Sequence, residues 1–188
     1  MESTKVNKEI FLEIAREKIK RKGIEDVLGF LEKSNFFTAP ASTQYHDSIE
    51  GGLCYHSVMV YEELLKETGT KFLPETLAIV ALFHDICKIG FYKVSSRNVK
   101  DEKTGKWNSV PYYSVDDSFP LGHGEKSVIM LMDLMKLTAP EIMAIRWHMG
   151  GFEPKENYSA LSKAYNEFPL AVYLQIADMK ATYLKEKG

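Results

Sequence analysis

Apolar positions recur with helical spacing along most of this chain. From Val6 to Lys22 a charged segment carries Val6, Ile10 and Ile14, with Phe11 beside them, as an apolar stripe, and Gly23 stops it. Ile24 to Ser34 reads as a second, shorter helix with Val27, Leu28 and Leu31 inward. Asn35 to Gly52 breaks the periodicity. Pro40, Ser42, Thr43 and the Gly51-Gly52 pair mark it as loop, and His46 within it reads as a surface residue. Helical spacing resumes from Leu53 to Thr68, with Val58, Tyr61, Leu64 and Leu65 apolar and His56 close to the start; Gly69 ends it. Pro74, followed by Glu75 in the first turn, opens the next helix. That helix runs into Ala81-Leu82-Phe83-His84-Asp85-Ile86-Cys87-Lys88, an apolar run that ends in adjacent His and Asp.

The pattern then changes. Phe91, Tyr92, Val94, Val99, Trp107, Val110, Tyr112, Tyr113 and Val115 are β-branched or aromatic and flank the turn signal Lys103-Thr104-Gly105-Lys106. This predicts a β-hairpin over 91–115 inserted into a helical protein, either a lid or a decoration. Asp116 to Gly124 is a loop into a helix that reaches Leu137, with Met130, Met132 and Met135 as core filling. Thr138-Ala139-Pro140-Glu141 has the pattern of a capping box and opens a helix carrying Ile142, Ile145, Arg146 and His148 that ends at Gly150-Gly151. A short helix follows over Ser159 to Phe168. Pro169 opens the last one, Leu170 to Lys187, with Val172, Leu174, Ile176 and Ala177 apolar and Asp178 in its middle. The expectation is one all-α domain over 1–188, a helical bundle with one small inserted β-hairpin.

Composition narrows the function classes. The chain has 188 residues, enough for one domain with a real core, and 45% hydrophobic against 27% charged residues is ordinary for a globular protein. A formal net charge of -2 gives no overall basic character for nucleic acid, although local patches remain open. No apolar run is long enough for a bilayer and the N-terminus lacks a secretory apolar stretch, so the expectation is a cytoplasmic protein with no membrane partner. Cys54 and Cys87 both fall in apolar helical patterns and read as reduced thiols.

Within this frame, His56, His84, Asp85, His123, His148 and Asp178 sit in or beside apolar helical segments. On their own, His84 and Asp85 would fit a helix end exposed at a loop. Six such residues are harder to explain that way, because imidazole and carboxylate are costly to bury unless something pairs with them. A divalent cation pairs with both, and facing helices of a bundle are a usual place to build such a site.

The ordered set Gly51-Gly52-Leu53-Cys54-Tyr55-His56-Ser57, then Leu82-Phe83-His84-Asp85-Ile86-Cys87-Lys88, then Ile176-Ala177-Asp178 resembles the HD-domain superfamily of metal-dependent phosphohydrolases. The resemblance spans about Gly51 to Leu184, after N-terminal helices and loop over 1–50. Cys87 stands where the family has Gly, at a position that is not a ligand. The resemblance implies that His56, His84, Asp85 and Asp178 hold one divalent ion. His123 and His148 match positions that serve either a second metal, or substrate phosphate and proton donation. Met149 stands where members with a well-formed second metal often have His, and a thioether is a poor ligand for hard ions.

Mixed His and carboxylate ligands suit Mn, Fe, Co, Ni, Zn or Mg without selecting among them. Asp85 would ligate and orient water, and His123 or His148 would protonate the leaving oxygen. Lys88 and Arg146 are the cations nearest in sequence to the ligands and are candidates for phosphate binding, with solvated surface charge as the alternative role for each. Glu125 reads as a helix N-terminal carboxylate. The expected activity is hydrolysis of a phosphate ester of a small molecule, by family resemblance a nucleotide. The alternatives are a phosphodiesterase or nuclease of the same superfamily, or a non-catalytic sensor that keeps the metal.

Overall fold

Seven consecutive residues, Leu77 to Phe83, are buried in the computed structural model, and the helix they form, α4 (Pro74–Phe83), is the one against which α1 (Glu2–Lys18), α3 (Gly52–Thr68) and α6 (Ala139–Trp147) pack. A helix apolar on every side has no solvent face to present, which is why it lies inside. The structure describes residues 2–42 and 49–185, with side chains from residue 5 onward; His46 lies outside the described residues. The other elements are α2 (Ile24–Lys33), β1 (Tyr92–Lys100), β2 (Trp107–Val115), α5 (His123–Met132), α7 (Tyr158–Glu167) and α8 (Pro169–Lys180), which runs on into a wider π turn over Ala181–Lys185. α8 lies against α3 and α6, and α5 against α6. The described chain is thus mostly helical with one antiparallel hairpin, registered from Tyr92↔Val115 at its base to Lys100↔Trp107 at its tip. No described helix is long and apolar enough to cross a membrane, and Cys54 and Cys87 are buried and unbridged.

Four local expectations are corrected. α1 ends at Lys18, before Lys22, and its buried residues are Phe11, Leu12 and Ala15, with Ile19 buried just beyond it, whereas Val6 and Ile10 are exposed. The cause is a polar knot just beyond the helix. The Lys20 amide donates to Glu75 Oε1 (2.8 Å), and the Arg21 guanidinium donates to Glu141 (2.6 and 2.9 Å) and Glu75 (3.2 Å). Gly23, at φ 100°, starts α2 instead of stopping α1, and a Cβ there would lie 2.2 Å from the Leu134 carbonyl oxygen.

The segment after α2 is loop where it is described, as expected, but it also reaches into the core. Phe36 and Phe37 are buried, with ring centroids 5.2 and 5.5 Å from Phe11. α5 stops at Met132, which is exposed, whereas Met135 is buried and Met130 only partly so. In α8 the inward face is Leu170, Ala171, Leu174 and Ala177; Val172 is half-buried and Ile176 exposed. Apolar residues occupy both sides of that helix, so hydrophobicity alone does not select the face, and the side with small residues wins where α8 approaches its neighbours.

The capping box at the start of α6 is present, and it is wired into the core. Glu141 is fully buried, accepts from Arg21, Thr76 Oγ1 (2.9 Å) and the Thr138 amide (2.8 Å), and so ties α1, α4 and α6 together. Burial opposes its charge, but the hydrogen bonds it accepts from Arg21, Thr138 and Thr76 together outweigh that and hold the carboxyl below its ordinary value. A depressed folded-state pKa gives stability that is present above the unfolded value and is lost as pH falls through the folded one. The expected result is that Glu141→Gln costs about 3–5 kcal/mol near pH 7, as for one partner removed from a buried pair. The cost should shrink as the wild type is titrated below about pH 4.3, the ordinary value for Glu. Denaturant midpoints across pH measure both.

Candidate metal centre

Five of the six singled-out side chains converge at one end of α4. His56 lies on α3 between the buried positions Leu53 and Val60, three and four residues away, and so faces inward. His84 closes α4, and Asp85, at φ -106° and ψ 19°, turns the chain into a short 3₁₀ segment, Ile86–Lys88. His148 caps the C-terminus of α6, and Asp178 comes from α8. His56 Nε2 lies 3.2 Å from His84 Nε2, 3.2 Å from Asp178 Oδ1 and 3.8 Å from Asp85 Oδ2, and His84 Nε2 lies 3.5 Å from Asp85 Oδ2. Ligands 2.0–2.2 Å from one tetrahedral ion would be roughly 3.3–3.6 Å apart, close to these separations. His148 stands nearer to this set than a separate site requires. Its Nε2 is 3.5 Å from Asp85 Oδ1, and His84, His148 and Asp178 also offer ligand atoms within 4.8 Å of one another.

The hydrogen bonds show which ring atoms are on offer. His84 Nδ1 donates to the Ala81 carbonyl (2.8 Å) and His148 Nδ1 to the Ile145 carbonyl (2.7 Å). A carbonyl only accepts, so each Nδ1 carries a proton and each Nε2 turns its lone pair toward the carboxylates when the ring is neutral. Burial pushes His84 down to about 4, so it is neutral. Burial opposes the charge of Asp178 too, but His56 beside it outweighs that and brings the carboxyl down to about 2. Asp85 is likewise held well below the usual carboxylate range, against its burial, first by Lys88. Burial opposes a charge on His148, but Asp85 raises it above the ordinary value. Among the described residues, Asp85 Oδ1 is the one buried side-chain polar atom with no hydrogen-bond partner. An ionised carboxylate left so is costly, and lone pairs aimed at anions are repulsive without a cation between them. The donor set therefore fits a divalent ion.

Lys88 Nζ sits 2.6 Å from Asp85 Oδ2, and although burial opposes its charge the carboxylate holds the ammonium above its ordinary value. His123, the first residue of α5, stands outside the donor cluster with its ring edge-on to Phe91 (5.3 Å), and burial lowers its pKa. Arg146 is not brought to the site. It pairs with Glu125 and Glu153 and lies over the Trp147 ring (3.9 Å), which accounts for both it and Glu125.

A cavity of about 250 Å³ opens onto the cluster, lined by His56, Asp85, Lys88, His123, His148 and Asp178. Tyr92, Phe152, Met179, Thr182 and Tyr183 also line it, as do Met149, Ala41 and Ser42. Sequence reasoning gave Tyr92, Thr182 and Tyr183 no role at the site. Thr182 had a signal, because it follows Asp178 by one helical turn, and its hydroxyl lies 3.4 Å from Asp178 Oδ1. Tyr92 had none beyond its place at the foot of the hairpin.

α5 reaches the site because Gly124 lets it close on α6. A Cβ at Gly124 would lie 2.1 Å from the Arg146 carbonyl oxygen. Gly124→Ala should therefore push α5 outward, cost about 1–3 kcal/mol, and move His123 off the cavity while the donor cluster on α3, α4 and α8 still takes its ion. Thermal unfolding and metal content measured together check this. No family model, curated protein or solved structure matches the chain.

Proposed function

We propose that this chain is a metal-dependent phosphohydrolase with an HD-domain-like helical fold, acting in the cytoplasm on a phosphate ester of a small molecule, a nucleotide. The observation that carries the reading is the convergence of His56, His84, Asp85 and Asp178, with Asp85 Oδ1 unpartnered, at the floor of a cavity. A divalent ion held by these four residues would supply Lewis acidity toward the phosphoryl oxygens and an acidified water.

The chain's own residues do the rest. Asp85, which lines the cavity, would orient the attacking water. Lys88, beside it, counters negative charge on the phosphoryl group, as a point charge suited to phosphate. His123 lines the cavity without belonging to the donor cluster, and its lowered pKa makes its protonated form the readier donor to the leaving oxygen. His148, whose Nε2 lies 3.5 Å from Asp85 Oδ1, would add a further donor to the ion.

The test is a substrate panel on protein reconstituted in turn with Mn, Fe, Co, Ni, Zn and Mg. Nucleoside mono- and triphosphates, diesters and oligonucleotides are compared in one assay. Release of inorganic phosphate from a nucleotide monoester is the expected result. Diester cleavage alone would make it a phosphodiesterase, and metal retention with no turnover across the panel would make it a sensor.

A further inference from the structure

His123, the proton donor of the proposed chemistry, is held differently from its neighbours at the site. His84 and His148 are each fixed by a hydrogen bond from Nδ1 to the carbonyl three residues back (2.8 and 2.7 Å). Among the described residues the His123 imidazole has no hydrogen-bond partner, and its ring contact is with Phe91, the centroids 5.3 Å apart and the planes at 89°. A donor has to stand within hydrogen-bond reach of the oxygen it protonates. A misplacement of about 1 Å can cost about 10²-fold in rate. An imidazole with no hydrogen bond to direct it depends on what it packs against, and a perpendicular pair of rings at this distance has a preferred geometry.

Phe91 is itself fixed from several sides. Its amide donates to the Lys88 carbonyl (3.2 Å), and its carbonyl accepts from the Asp116 amide (2.8 Å) just outside the first hairpin pair, Tyr92↔Val115. Its ring meets that of Tyr92 at 81°, with centroids 4.9 Å apart. Lys126 Nζ lies over it, 5.4 Å from the centroid, and 5.9 Å from that of Phe119. Lys126 is buried, and its ammonium pairs with Asp117 (2.8 Å). Breaking such a pair is costly, so the cation is a fixed support for the ring. Lys126 follows His123 by three residues on α5, and positions so spaced are neighbours on one side of a helix. The Phe91 ring therefore rests on His123 and Lys126 together. Its backbone is bound to Lys88, the end of the segment that begins after Asp85, so Phe91 bridges the two sides of the cavity.

We propose that Phe91 is the positioning residue for His123: its ring, locked by Lys126, sets where the imidazole stands in the cavity wall, a role that rests on the phosphohydrolase reading. The inserted hairpin then serves the site through its foot, where Phe91 leads into β1.

The experiment pairs turnover with the position of the ring. kcat, KM and metal content are measured for the full chain, reconstituted with the ion that supports turnover, and for its variants. Phe91→Leu should lower kcat about tenfold to 10²-fold at unchanged KM and metal content. Phe91→Tyr, which keeps an aromatic ring, should restore most of the loss, and Lys126→Met should act in the same direction as Phe91→Leu. In a His123→Ala background Phe91→Leu should change kcat by no more than about twofold, because the group it positions is gone. Histidine ring proton resonances of the Zn-loaded and metal-free chain report the same contact without turnover, with those of His123 identified by their loss in His123→Ala. A ring 5.3 Å away shifts nearby protons by its ring current, so the His123 resonances should move in Phe91→Leu and in Lys126→Met and stay near wild type in Phe91→Tyr. An equal loss of kcat with and without His123 would make Phe91 a structural wedge and overturn the proposal. So would wild-type kcat in Phe91→Leu, or His123 resonances that either Phe91→Leu or Lys126→Met leaves in place. If no form of the protein hydrolyses a phosphate ester, the phosphohydrolase reading fails, and the resonances alone decide whether Phe91 positions the ring.

Discussion

Asp85→Ala is expected to remove metal and phosphohydrolase activity together. Asp85 has one oxygen among His56, His84 and Lys88 and the other facing His148, so it meets every part of the cluster except Asp178 directly. On the proposed reading, its removal takes away an anionic ligand and the group that orients water. With several kcal/mol of charge stabilisation gone, activity should fall by about 10³-fold or more. Asp85→Asn keeps the shape and loses the charge, so it should also fail to hold the ion. Both changes leave the Lys88 ammonium buried without its carboxylate, a situation that costs about 3–5 kcal/mol when one partner of a buried pair is removed. Circular dichroism melts therefore accompany the metal analysis. A folded variant with wild-type metal occupancy would remove Asp85 from the ligand set.

His123 and His148 should separate from one another. On sequence alone the two looked equivalent, both candidates for a second metal. The structure places His148 Nε2 3.5 Å from Asp85 Oδ1 and within the donor cluster, and places His123 outside it, edge-on to Phe91. His148→Ala should weaken metal binding by about 10–100-fold, the range for residues that support or complete a metal shell. His123→Ala should leave one ion per chain and lower kcat by about 10²–10⁴-fold, as expected for loss of a proton donor. The His123→Ala effect should also remove one limb of the pH profile of kcat. Elemental analysis that finds two ions in the wild type and one in each variant would restore the two-metal arrangement.

Much of the cluster was legible because its polar residues interrupt apolar segments. His56, His84 and Asp178 stand out from neighbours such as Leu53, Phe83 and Ala177, and only a buried partner explains polar groups in those positions. The hairpin was legible for a similar reason, since its residues have β-propensity and its turn is marked by Gly105. What failed was the choice of face and of terminus. α8 has Ile176 outward and Ala177 inward, which depends on how closely α3 and α6 approach. α1 ends where Arg21 meets Glu75 and Glu141, which are 54 and 120 residues away in sequence, so no local signal marks it. Arg146 looked like a phosphate ligand by its nearness to His148 in sequence, but a helix end points neighbouring residues in different directions, and it meets Glu125 and Glu153.

The metal centre itself is tested most directly by elemental analysis of chelator-stripped protein after reconstitution with each divalent ion and exhaustive dialysis. One ion per chain in the wild type, lost in Asp85→Ala and in Asp178→Ala while both variants remain folded, is the predicted result. Wild-type protein that retains none of Mn, Fe, Co, Ni, Zn or Mg, or variants that retain as much as the wild type, would contradict it.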